Sequence, residues 1–77
     1  MLFKVKSEVA GVVWKIIASV GDDFNAGAAI IILESMKMEI PVTTPRAGTL
    51  KILHVAETDM ILEGQEIATF LSLDEPT

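Results

Sequence analysis

A chain of 77 residues, 51% hydrophobic and without cysteine, has the size of one small domain and cannot rely on disulfides or a thiolate metal site; a lone His54 cannot build a zinc site either. The formal net charge of −5, from 11 acidic against 6 basic residues, excludes a protein that tracks nucleic-acid phosphates. The longest unbroken apolar run, 28–33, is far short of a bilayer span, and no basic and apolar leader precedes the first strand-like stretch, so the expected protein is cytoplasmic, with no membrane contact.

Taken in chain order, short β-rich runs predict strands over 2–6 and 12–17, a brief one over 22–25, and further strands over 29–34 and 38–43. The second half repeats the rhythm with strands over 49–54 and 66–71 and a brief one over 59–62, which predicts an all-β sandwich or barrel. Met36, Met38, Ile40 and Val42 alternate with Lys37, Glu39, Pro41 and Thr43, a period of two that a helix would not show. Pro41 also suggests an edge or strand-end position. The polar residues 74–77 read as a frayed tail after a domain spanning 1–73.

The rhythm is an internal repeat. A shift of 37 positions, without a gap, sets Val5 on Val42, Ala10 on Ala47, Gly11 on Gly48, Asp22 on Asp59, Gly27 on Gly64 and Ile30 on Ile67. Paired glycines point to positions that need φ > 0 or a close backbone approach. Thr58 stands where the first half has Gly21, and a β-branched residue resists φ > 0, so the second turn is expected to differ from the first. Residue 37 falls at the centre of the repeat, so a pseudo-twofold places it opposite the chain ends. Trp14 matches Lys51, a strand position that can face water, and local packing is the favoured explanation for it over docking. His54 matches Ile17 and is expected on the rim; no nucleophile or base accompanies it, so the chain is not expected to be an enzyme.

A single Met-Lys-Met would be an ordinary surface lysine beside gap-filling methionines. Here it lies at the centre of the repeat, on an expected β-turn between two apolar strands, and is read as a covalent attachment point. Five blocks in order, Ala10-Gly11-Val12-Val13, the stretch 20–27, Glu34-Ser35-Met36-Lys37-Met38-Glu39, Ala47-Gly48-Thr49-Leu50 and Glu63-Gly64-Gln65-Glu66-Ile67, make the chain resemble a biotinyl domain, the biotin carboxyl carrier module of biotin-dependent carboxylases. The resemblance covers nearly the whole chain. It implies a flattened barrel-sandwich hybrid of two four-stranded sheets with quasi-twofold symmetry, and biotin in amide linkage to Lys37 at a hairpin tip. It further implies that Glu34, Ser35, Met36, Met38 and Glu39 are recognition residues, with a biotin protein ligase, a biotin carboxylase and a carboxyltransferase as partners. The expected function is a stand-alone carrier that shuttles a carboxyl group between separate subunits of a carboxylase such as acetyl-CoA carboxylase. A lipoyl carrier, whose lysine usually sits between Asp or Glu and Ala, and an unmodified structural or adaptor module are the alternatives.

Overall fold

The computed structural model describes residues 1–73, so the tail expected at 74–77 lies outside the described residues. The glycine-bounded runs form eight strands: β1 (Leu2–Lys6), β2 (Gly11–Ile16), β3 (Asp23–Phe24), β4 (Ala29–Ser35), β5 (Met38–Thr43), β6 (Gly48–Leu53), β7 (Met60–Ile61) and β8 (Glu66–Ser72). They assemble as two four-stranded antiparallel sheets, ordered β1-β8-β6-β3 and β5-β4-β2-β7. The result is the expected all-β architecture as a flattened sandwich rather than a closed barrel. Among the described residues no helix is long and apolar enough to cross a membrane. Every expected strand is present, with ends displaced by a residue at most, and Pro41 lies on edge strand β5, where its missing N–H costs no ladder bond.

The 37-residue shift carries β2, β3 and β4 onto β6, β7 and β8 with their ends coincident, and carries one sheet order onto the other. Even the irregularities coincide: the β2–β4 register slips between Val13 and Lys15, and the β6–β8 register slips between Leu50 and Ile52. The core obeys the same symmetry. Val13 with Leu50, Ile30 with Ile67 and Leu33 with Phe70 are fully buried pairs, each side chain contributing roughly 1.5–3 kcal/mol on burial. Phe70 fills the larger share, stacked on Phe3 at 5.4 Å and met edge-on by Phe24 at 5.9 Å. Buried Ser7 and Thr44 are twins as well. The Ser7 hydroxyl donates to the Val9 carbonyl and that of Thr44 to the Arg46 carbonyl, so neither burial leaves a polar atom unsatisfied.

The glycine pairs divide by mechanism. Gly27 and Gly64 have φ of 86° and 85°, whereas a Cβ on Gly11 or Gly48 would come within 2.8 or 2.9 Å of the carbonyl oxygen of Glu34 or Leu71. The expectation for Thr58 is overturned: its φ is 75°, in the same left-handed region as the 97° of Gly21. The surrounding bonds explain this. The Thr58 N–H donates to the Val13 carbonyl as that of Gly21 donates to Leu50, and each turn is closed by an aspartate, Asp59 Oδ2 accepting from Ala56 N as Asp22 Oδ2 accepts from Ser19 N. These contacts fix the turn and override a steric preference of roughly 1–2 kcal/mol.

Candidate functional site

Strands β4 and β5 pair down to Ser35 opposite Met38, leaving a loop of two residues, Met36 and Lys37. A two-residue loop between right-twisted strands favours positive φ at both positions, which is why Asn-Gly is the common solution. Here the φ values are 51° at Met36 and 65° at Lys37, each an uncommon conformation for a residue with a Cβ. The register below forces it. Leu33 opposite Ile40 and Ile31 opposite Val42 commit one face of the hairpin to the core, and a slip of one residue would turn that face outward.

The alternation in the sequence is therefore real only from Met38 onward. Met36 belongs to the turn, and the two methionines do not share a strand face opposite Lys37. Both are solvent-exposed, Met36 at 92% and Met38 at 63%, so neither is core packing. Glu34 and Glu39 lie directly opposite each other, both exposed, one pair below the turn. Like charges in a cross-strand pair oppose folding, so this placement serves something other than the hairpin's stability. Ser35, half-buried, closes the hairpin opposite Met38.

Among the described residues no hydrogen bond or ion pair holds the Lys37 ammonium, and Glu34 and Glu39 leave it in solvent. An exposed, uncaptured primary amine at the apex of a two-residue turn is what acylation of a lysine requires. Conversion to an amide would strip no partner of its ion pair and bury no charge, so the residues present fit a lysine-linked group. Among the described residues no group of His, Asp and Glu could hold a metal ion.

The other residues singled out in the sequence lie elsewhere. His54 is exposed, just past the end of β6, its Nε2 2.9 Å from Thr69 Oγ1 on the neighbouring strand β8 of the same sheet, which bears out a rim position. Trp14 sits at the β2 register slip and is 51% exposed, facing water as its match with Lys51 suggested. Met1 and Ser72 are remote from the turn. β5 runs away from Met38, a six-residue strand of roughly 20 Å. Arg46, just past its far end, reaches Ser72 Oγ at 3.3 Å, and the Ser72 N–H donates to the Met1 carbonyl at 2.8 Å. Sequence reasoning missed that Val12 pairs directly with Glu34 and Met60, so that the two acids continue into an exposed apolar strip. The signal was present in the repeat, in positions that differ between the halves rather than in those that agree.

Comparison with known proteins gives this geometry a context. A family model described as "Biotin-requiring enzyme" matches residues 2–70. A biotin/lipoyl attachment protein of Bacillus subtilis is 42% identical over 60 residues, covering 78% of this chain and 82% of that protein. A urea amidolyase of Saccharomyces cerevisiae is 41% identical over 70 residues, which are 90% of this chain but 4% of the amidolyase. The urea carboxylase of Kluyveromyces lactis contains the same fold, with a TM-score of 0.87 and 32% identity over 92% of this chain and 6% of the carboxylase. The chain thus matches most of one short relative and a small part of two large ones.

Proposed function

Because the chain belongs to the biotin/lipoyl attachment family of biotin-requiring enzymes, we propose that Lys37 is the lysine on which it carries its biotin. The carrier domain is itself non-catalytic. In this reading a biotin protein ligase acylates the Lys37 amine, and the domain serves separate biotin carboxylase and carboxyltransferase subunits in the cytoplasm. The short Bacillus relative, 82% covered by this chain, supports a carrier of this size acting as its own subunit. Carboxylase relatives in which the same fold is one part among many support the carboxyl-transfer role.

The observation that carries the proposal is the turn: an exposed amine with no partner among the described residues, held at φ 65° between two exposed methionines. Bound biotin supplies a ureido nitrogen that accepts and releases a carboxyl group. The rest of the work falls to this chain's own residues. The ladder below Ser35 and Met38 fixes the direction in which the lysine arm leaves the domain, so a partner that grips the domain also knows where the arm begins. Met36 and Met38 offer flexible, polarizable contacts that more than one enzyme can read, and Glu34 and Glu39 mark the approach with negative charge. Loss of the ammonium takes the formal charge one unit below −5 and leaves the turn as an apolar tip above two acids, a surface distinguishable from the unmodified one.

The test is the intact mass of the protein made with a biotin ligase and free biotin, beside Lys37→Arg. One biotinyl group on the wild type, none on the variant and equal melting of the two are expected. Labelling of the Arg variant would remove Lys37 from the role, and a lipoyl increment in place of the biotinyl one would assign the turn to the other cofactor of the family.

A further inference from the structure

Since the two sheets share one backbone, each is a control for the surface chemistry of the other. On the β1-β8-β6-β3 sheet three polar pairs lie on the side away from the core, beside exposed Leu2 and Ile52. Thr49 Oγ1 donates to Asp23 Oδ1 at 2.6 Å, His54 Nε2 lies 2.9 Å from Thr69 Oγ1, and Lys4 Nζ lies 3.0 Å from Glu66 Oε1. The 37-residue shift takes these pairs to Val12 and Met60, Ile17 and Ile32, and Pro41 and Ala29. All three are apolar on the sheet that bears Lys37. They are not hidden: Val12, Ile17 and Met60 are 40%, 47% and 77% exposed, with Trp14 beside them at 51%. The twin shows that this backbone accepts polar side chains at every one of these positions, so folding does not demand an apolar surface there. Exposed apolar surface without a folding reason marks an interaction site.

The charges point the same way. Glu34, directly paired with Val12, and Glu39 beyond it stand where the twin sheet has Leu71 and Leu2. On the other side Glu57 Oε2 accepts from the Ile16 N–H. Lys15, at the register slip beside Trp14, is the cation within this group, and its twin position is Ile52. The face is an apolar centre with an acidic rim that ends at the Lys37 turn.

We propose that this outer face of the β5-β4-β2-β7 sheet docks the carrier on the biotin carboxylase component, against an apolar patch rimmed by lysine or arginine. The proposal rests on the biotin-carrier reading. Charge complementarity selects the occupant: an enzyme that handles ATP and bicarbonate must present positive potential at its active-site mouth, and an acidic rim beside the lysine arm is steered to it. A second copy of this chain would instead bring its own acidic rim.

The experiment uses the biotinylated full chain as substrate for the biotin carboxylase of its own host, with rates measured against carrier concentration. The variant Val12→Thr, Trp14→Lys, Met60→Asp installs the residues that the twin sheet carries at 49, 51 and 23. KM for the carrier is expected to rise roughly tenfold with kcat unchanged, while the reaction on free biotin and the extent of biotinylation stay as in the wild type. The mirror variant Thr49→Val, Lys51→Trp, Asp23→Met leaves KM where it was. Trp14→Lys alone, expected to raise KM by a smaller factor, keeps the test intact if the triple variant does not fold. An unchanged KM in the folded variants overturns the proposal, as does a change confined to kcat or to the carboxyltransferase step. A dimer in sedimentation that the triple variant loses, with KM unchanged, would assign the face to a second copy. Failure of the carrier reading itself would show earlier, as a wild type that takes up no biotin.

Discussion

The turns at 19–22 and 56–59 are written Ser-Val-Gly-Asp and Ala-Glu-Thr-Asp, yet they trace one path with one set of hydrogen bonds. What they share is the closing aspartate and the two bonds to the neighbouring strand. What differs is the residue at positive φ, glycine in one and threonine in the other. The comparison separates two causes that usually travel together: the bonds set the conformation, and the residue sets only its cost. The Met36-Lys37 turn follows the same rule, with strand pairing on both sides holding two residues where glycine and asparagine would rest more easily.

Three measurements would break or sharpen this distinction. The largest effect is expected where the conformation is fixed and a β-branched residue is forced into it. Gly27→Val and Gly64→Val have φ near 86° and 85° with open space around the added Cβ, so each should cost about 2 kcal/mol from the backbone alone, a fall in Tm on the order of 10 °C. Unequal losses would mean that packing, not φ, governs one of them. A smaller effect belongs to the natural experiment. Thr58→Gly should gain about 0.5–1 kcal/mol, relief of the left-handed strain outweighing the added chain entropy of glycine, whereas Gly21→Thr should lose about 1 kcal/mol. Destabilisation by Thr58→Gly would show that the threonine side chain contributes contacts of its own.

The smallest effect tests the polar dress of the two sheets. A hydrogen bond from Lys4 holds the Glu66 carboxyl below its ordinary range. A depressed folded-state pKa gives stabilisation that is complete above the unfolded value and fades as the pH falls through the folded one. Lys4→Met should therefore be slightly less stable than the wild type at neutral pH, with the gap closing as the pH falls through the lowered folded-state pKa of Glu66, as read from Tm, the pair being too exposed for more. A gap that persists in acid would trace to packing of the lysine stem instead.

The repeat made most of this legible. Matching glycines and core residues located every strand, because burial alternates with period two and the turn glycines punctuate it. The place of Lys37 at a hairpin tip was legible for the same reason, as the residue at the centre of the repeat. Met36 was misread because alternation continues by chance across the turn, and only the pairing of Ser35 with Met38 shows where the strand starts. Thr58 was misread because propensity was weighed alone, while Asp59 and the Val13 carbonyl, which decide the matter, act through bonds that become visible with the fold. The exposed strip from Met60 through Val12 was hidden for another reason: strand neighbours across a sheet are far apart in sequence.

The remoteness of Met1 and Ser72 from Lys37 has a mechanical side. The domain is 43 Å long and 16 Å across its thinnest direction, and its Lys37 turn and terminal pair are separated by the length of β5. Pivoted near Met1 and Ser72, such a body is a lever: a small angular swing displaces the amine by several ångströms, with no strand unpaired to allow it.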